Sequence, residues 1–136
     1  MLFKGLEISL TGMSAQRIRI DVASSNLANA NAINPVTGEP YRRKVPVFES
    51  VLVKEGNIPL NEVRVKEIAY DESPFKMKYD PNNPLADKDG YVTLPNVDPL
   101  KEMVDMVSAM RSYEANLTAF NTHKNMLTSS LEILRA

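Results

Sequence analysis

The stretch DPLKEMVDMVSAMRSYEANLTAFNTHKNMLTSSLEIL, residues 98–134, decides how the rest of the chain is read. It contains no Gly, and its single Pro, Pro99, stands directly after Asp98. Asp accepts hydrogen bonds from the free N–H groups of a first helical turn, and Pro is tolerated at the first helical position. Glu102 then falls where the positive end of the helix dipole favours an acid. From that start Leu100, Met103, Val107, Met110, Tyr113, Leu117, Phe120, Leu127, Leu131 and Leu134 recur at steps of three and four, with Lys124 as the polar interruption. The pattern predicts one helix about 55 Å long at ~1.5 Å per residue. The short step from Met110 to Tyr113 reads as a stammer, with a local change of supercoil expected there. No small domain can cover such a helix along its whole length, so part of the stripe needs a partner.

The opposite end of the chain predicts a second, weaker helix over about residues 2–30. Leu6, Leu10, Met13, Ile20 and Leu27 share a face, while Gly5 and Gly12 each cost about 1 kcal/mol relative to Ala. Its last turns, Ser24-Ser25-Asn26-Leu27-Ala28-Asn29-Ala30-Asn31, alternate small and polar residues. That composition suits close, hydrogen-bonded helix contact, and it equally suits a fraying end that runs into Asn34-Pro35.

Between the helices the character turns to β. Residues 42–53 are rich in Val, with Pro46 restricting them to an edge or bulge, and 63–68 alternate at first as a half-buried strand would. Glu55-Gly56-Asn57 marks a turn, and 80–90 reads as an irregular loop. Residues 40–79 are expected to form three or four strands, too little chain to stand alone comfortably. The fold class is therefore α+β: long terminal helices pairing as a coiled coil around a small β-rich module, divided as 1–33, 34–97 and 98–136.

Composition narrows the function by exclusion. A formal net charge of -1 gives no bulk field for nucleic acid or acidic membrane, and Arg42-Arg43-Lys44 is more simply a solvated strand or loop face. Without cysteine there is no thiolate nucleophile, thiol ligand or disulfide. No window approaches the ~18 apolar residues of a membrane span, and Met1–Met13 lacks the uninterrupted apolar region of a secretory signal. His123, the one histidine, has Ala119 and Leu127 four residues away on either side, so no orienting partner stands at helical spacing. Asp87-Lys88-Asp89-Gly90 misses the calcium-loop spacing and reads as turn chemistry. No catalytic, cofactor or metal residue is expected. An assembly subunit leads, with a soluble module dimerising through its C-terminal helix as the second reading.

Several motifs carry a resemblance. Ala23-Ser24-Ser25-Asn26-Leu27-Ala28-Asn29-Ala30-Asn31, then Ser73-Pro74-Phe75-Lys76, Tyr79-Asp80-Pro81 and Pro84-Leu85-Ala86-Asp87, stand in one order along the chain. Gly90-Tyr91-Val92, Pro95-Asn96-Val97-Asp98, Glu102–Val107 and Arg111–Asn116 follow. Together they resemble the flagellar basal-body rod proteins of the proximal-rod type over nearly the whole chain. The resemblance implies a non-enzymatic subunit, exported uncleaved through the flagellar type III apparatus and stacked helically with itself and other rod proteins. It implies a place in the rod within the periplasm, as part of the drive shaft that transmits torque and encloses the export channel, needed for flagellum assembly and motility. It also implies that the terminal helices pair in an inner tube, that the middle module projects outward, and that the tips order on assembly. The expected subunit contacts are Leu6, Leu10, Met13, Ile20, Asn26, Leu27 and Asn29 on the first helix. On the second they are Met103, Val107, Met110, Tyr113, Leu117, Phe120, Leu127, Leu131 and Leu134.

Overall fold

The computed structural model describes residues 2–135. Its order is α1 (Leu2–Ala28), β1 (Lys44–Glu55), β2 (Ile58–Tyr70), β3 (Lys76–Tyr79), β4 (Tyr91–Leu94) and α2 (Pro99–Arg135). α2 starts where its cap dictates. The Asp98 carboxylate accepts the Leu100 N–H at 3.1 Å, and the Asp98 carbonyl accepts the Glu102 N–H at 3.0 Å. α1 closes through Asn29, whose backbone N–H and side-chain amide both donate to the Ser25 carbonyl. The chain then turns at Asn34, whose side chain accepts the N–H groups of Val36 and Thr37.

The two helices pack antiparallel in a strict heptad seam. Gly5 faces His123, Gly12 faces Asn116, and Asn26 bonds Glu102. One heptad forward on α1 is answered by one heptad back on α2, which is the geometry of a coiled coil. The contents of the seam differ from a leucine zipper. On α1 the buried residues are Ser9, Gly12, Ala15, Val22, Ala23 and Asn26; on α2 they are Glu102 and Ala109. Small residues let the backbones approach closely, and the larger side chains of α2 fill the space. A Cβ on Gly12 would lie 2.6 Å from the Asn116 amide oxygen, and one on Gly5 would lie 2.6 Å from His123 Cε1.

This seam corrects the expected stammer. Met106, Tyr113, Phe120 and Leu127 are half-buried and lie on the α1 side, while Met103, Val107, Met110 and Leu117 are exposed. The short step from Met110 to Tyr113 is a change of face, from an outward heptad to the inward one. Neither heptad is interrupted there.

β1 and β2 form a two-stranded antiparallel ribbon, pairing Lys44 with Tyr70 at one end and Glu55 with Ile58 at the other. A bulge between Val47 and Phe48 leaves Lys66 without an opposite residue. Gly56, at φ 63°, makes the two-residue turn with Asn57. Pro46 fits because in a ribbon every strand is an edge. β3 and β4 make a second, separate pair. Its strand β4 lies beyond the 40–79 window in which the sequence placed the strands.

The ribbon of the middle module lies along α1. Thr11 accepts the Val63 N–H at 3.4 Å, Lys4 lies 3.9 Å from Glu62, and Asn26 bonds the backbone of Lys44. A strand of 12 residues at ~3.3 Å spans about 40 Å, the length of 27 helical residues at ~1.5 Å. An isolated ribbon is marginal in water; Val51, Val63 and Val65 are half-buried beside Ala15 and Ile18 of the helix, while Leu52, Ile58, Ile68 and Tyr70 stay exposed.

Candidate functional site: a polar joint and two outward faces

Where α1 ends and α2 begins, four segments meet on buried polar groups. Asn26 is 1% exposed and uses its whole amide. Its nitrogen donates to the Lys44 carbonyl at 2.8 Å and to Glu102 Oε2 at 3.3 Å. Its oxygen accepts the Lys44 N–H at 3.0 Å and the Tyr41 hydroxyl at 2.9 Å. Nothing of the side chain is left unpaired, as a buried amide requires.

Glu102, also 1% exposed, would be a costly buried charge without partners. Arg43 Nε donates to its second oxygen, and the same guanidinium reaches Asp71 at 3.1 Å and Asp105 at 3.5 Å. One rigid cationic fork thus ties the start of β1 to the end of β2 and to two turns of α2. Asn96 completes the joint. It accepts the Arg43 N–H at 2.7 Å and donates to the carbonyls of Asp71 and Ser73. The Asp71 carboxyl is held at about 2, first by the Ser73 hydroxyl and backbone N–H and then by Arg43.

The joint has no open cleft with a nucleophile and base, and no metal-holding group of His, Cys, Asp and Glu occurs among the described residues. Its chemistry is mechanical: it locks ribbon and helices in one arrangement. His123 lies in the seam against Gly5, with Nδ1 enclosed and no hydrogen-bond partner among the described residues.

The expected contact residues divide into three groups. Met103, Val107, Met110, Leu117, Leu131 and Leu134 are exposed on α2, and Leu10 is exposed on α1. Tyr113, Phe120 and Leu127 are half-buried toward α1, while Leu6, Met13, Ile20 and Leu27 are half-buried on the flank of α1. Asn26 and Asn29 are engaged within the chain, by the joint and by the end of α1. The Asn26 amide is buried with all its hydrogen-bonding positions filled within the chain, whereas Asn29 is half-buried with its amide nitrogen on the Ser25 carbonyl. Sequence reading missed Arg43, Asn96 and Glu102 as partners. Arg43 sits in a basic run that looks solvated, and Glu102 is accounted for locally by the helix dipole.

Around Met103 and Val107 the outward face of α2 forms a groove of about 550 Å³ with Val104, Ser108, Arg111 and Ser112. Contiguous exposed apolar residues of this kind mark interaction surfaces. Two helices are thus held by a polar joint, with apolar residues of α2 turned outward. The model of the flagella basal body rod protein family matches residues 6–34, and that of the flagellar basal body rod FlgEFG protein C-terminal region matches 88–133. The FlgC rod protein of Bacillus subtilis is 49% identical, covering 96% of this chain and 97% of its own. Those of Aquifex aeolicus and Salmonella typhimurium are 47% and 42% identical, covering 96% and 93% of both chains. The chain belongs to the FlgC family of flagellar basal-body rod proteins.

Members of this family are structural proteins of the basal body. No described helix is long and apolar enough to cross a membrane.

Proposed function

We propose that the chain is a subunit of the proximal rod, stacking helically with its own copies and other rod proteins. In this reading it forms part of the drive shaft that transmits motor torque and encloses the export channel, in the periplasm, and it is needed for flagellum assembly and motility. It reaches the rod uncleaved through the flagellar type III apparatus. The outward residues of α1 and α2 make the subunit contacts, and segments 1–33 and 98–136 act as one coiled-coil unit with 34–97 braced on it.

The observation that supports this reading best is the division of each helix into two faces. The fully buried residues of the seam are mostly small or polar, flanked by half-buried Met106, Tyr113, Phe120 and Leu127, whereas Met103, Val107, Met110 and Leu117 are left in solvent. A helix pair that invests its apolar residues outward gains most of its burial from neighbours. Contacts between unlike patches propagate as an open helix where the rotation between neighbours does not close a ring.

Electron microscopy of basal bodies from a strain lacking this chain tests the reading. Truncated or absent rods are expected, and intact rods would refute it. Rods restored by the wild-type chain and not by Met103→Ser/Val107→Ser would place the outward face at the contact.

A further inference from the structure

The α1–α2 seam sets polar side chains where leucine would bury more apolar surface. Glu102, Asn116 and His123 lie on one line of heptad steps along α2, and they stand in a single register against Asn26, Gly12 and Gly5. Glu102 is matched by the joint, but the other two gain little from α1 in hydrogen bonds. The Asn116 amide nitrogen turns back on its own helix and donates to the Ser112 carbonyl at 3.0 Å. His123 Nδ1 is enclosed with no hydrogen-bond partner among the described residues. A buried nitrogen left unpaired lowers stability. Polar groups kept in a helix seam despite that loss serve to fix register and choice of partner.

Size points the same way. The imidazole lies so close to Gly5 that a Cβ there would come within 2.6 Å of Cε1, 2.8 Å of Nδ1 and 3.0 Å of Nε2. Gly12 receives the Asn116 amide in the same manner, with a Cβ 2.6 Å from its oxygen. α2 contains no glycine, so a second α2 offers nothing smaller than alanine to either side chain. In the layer between Asn116 and the joint the sizes reverse, and the register carries Arg19 opposite Ala109, which is 0% exposed. A slip of one heptad in one direction sets Asn116 against Arg19, large on large. In the other direction it sets Ala109 against Gly12 and leaves space unfilled.

We propose that His123 and Asn116 are specificity residues: seated on Gly5 and Gly12, they commit α2 to α1 and keep it from pairing with the α2 of another copy. The half-buried Met106, Tyr113, Phe120 and Leu127 supply adhesion that any apolar helix would satisfy, and the two polar layers supply the choice. That choice is made within the free chain and does not rest on the rod reading.

The chain has no native cysteine, so introduced thiols report contacts cleanly. Ala119 lies on the inward side of α2, and the register sets Ser9 opposite it. Full-length chains are treated with a short bis-maleimide in dilute solution. Ser9→Cys/Ala119→Cys is expected to link within one chain, and Ala119→Cys alone to link copies weakly. Adding Asn116→Leu/His123→Leu should raise linking between copies at Ala119→Cys at least tenfold at equal concentration, and should reduce the link within one chain. Asn116→Ala/His123→Ala should act in the same direction, so a leucine pair that spoils folding does not decide the result. Leu117→Cys, on the exposed side, is the control, and its linking should not change.

Variants that stay helical by circular dichroism, link within one chain as before and link copies no better would overturn the inference. So would an equal rise at Leu117→Cys, which is general aggregation. Loss of helix in both variants would overturn it as well, because the two layers would then be required for folding and not for the choice of partner.

Discussion

Asn26 near the end of α1 and Glu102 in the first turn of α2 share a hydrogen bond of 3.3 Å, and each is 1% exposed. It joins the end of α1 to the start of α2 across 76 residues, at the point where the ribbon also arrives through Lys44 and Arg43. Everything else in the helix seam is small or half-buried, so this joint carries much of the definition of the fold.

Asn26→Ala should cost about 3 kcal/mol, because it strands the Lys44 backbone pair, the Tyr41 hydroxyl and one oxygen of Glu102. Urea unfolding followed by circular dichroism measures it. A loss below about 0.5 kcal/mol would mean that water replaces the amide freely and that the joint is not closed.

Arg43→Ala should be the more damaging change, at about 3–5 kcal/mol, since it leaves Glu102 buried and uncompensated. Removing the acid as well, in Arg43→Ala/Glu102→Ala, should recover part of that loss. A double variant no better than the sum of the singles would show that the two side chains act independently.

Gly12 presents two opposed effects. Ala at this position gains about 1 kcal/mol of helix propensity, but its Cβ would meet the Asn116 amide at 2.6 Å. Gly12→Ala should therefore destabilise the otherwise native chain and stabilise an Asn116→Ala chain. The reversal of sign between the two backgrounds is the measurement. The same sign in both would mean that Asn116 swings aside at little cost.

Asp71 makes the joint sensitive to acid. Its folded value, about 2, lies below the ordinary 3.8, so the folded state binds the proton less readily than the unfolded one. The resulting stabilisation is complete above about pH 4 and is lost as pH falls toward 2. Urea midpoints of the native chain and Asp71→Asn should differ most at pH 5 and converge near pH 2. A difference independent of pH would place the role of Asp71 in its shape, not its charge.

Amide exchange should follow the distance from the joint. α1 around Ala23–Asn26 and α2 around Glu102–Ala109 are expected to exchange slowly, and α1 near Phe3 and α2 near Leu131–Leu134 quickly. The isolated subunit should accordingly show less helix than its 27- and 37-residue helices imply. Equal protection from end to end in a monomer would contradict this gradient.

The sequence by itself determined both helices, the start of α2 at Asp98-Pro99, the turn at Gly56-Asn57 and the family, because caps, turns and periodicity are local and leave their mark within a few residues. It also marked Met103, Val107 and Met110 as one stripe. Only the tertiary structure decided which side of α2 faces α1. Two faces interleave on the helix, and the inward one mixes Met106, Tyr113, Phe120 and Leu127 with Glu102, Ala109 and Asn116, which give the apolar pattern little weight. The Arg43–Glu102–Asn26 joint was likewise invisible along the chain. Each member has a sufficient local explanation, and the desolvation that forces the three together exists only once the segments have met.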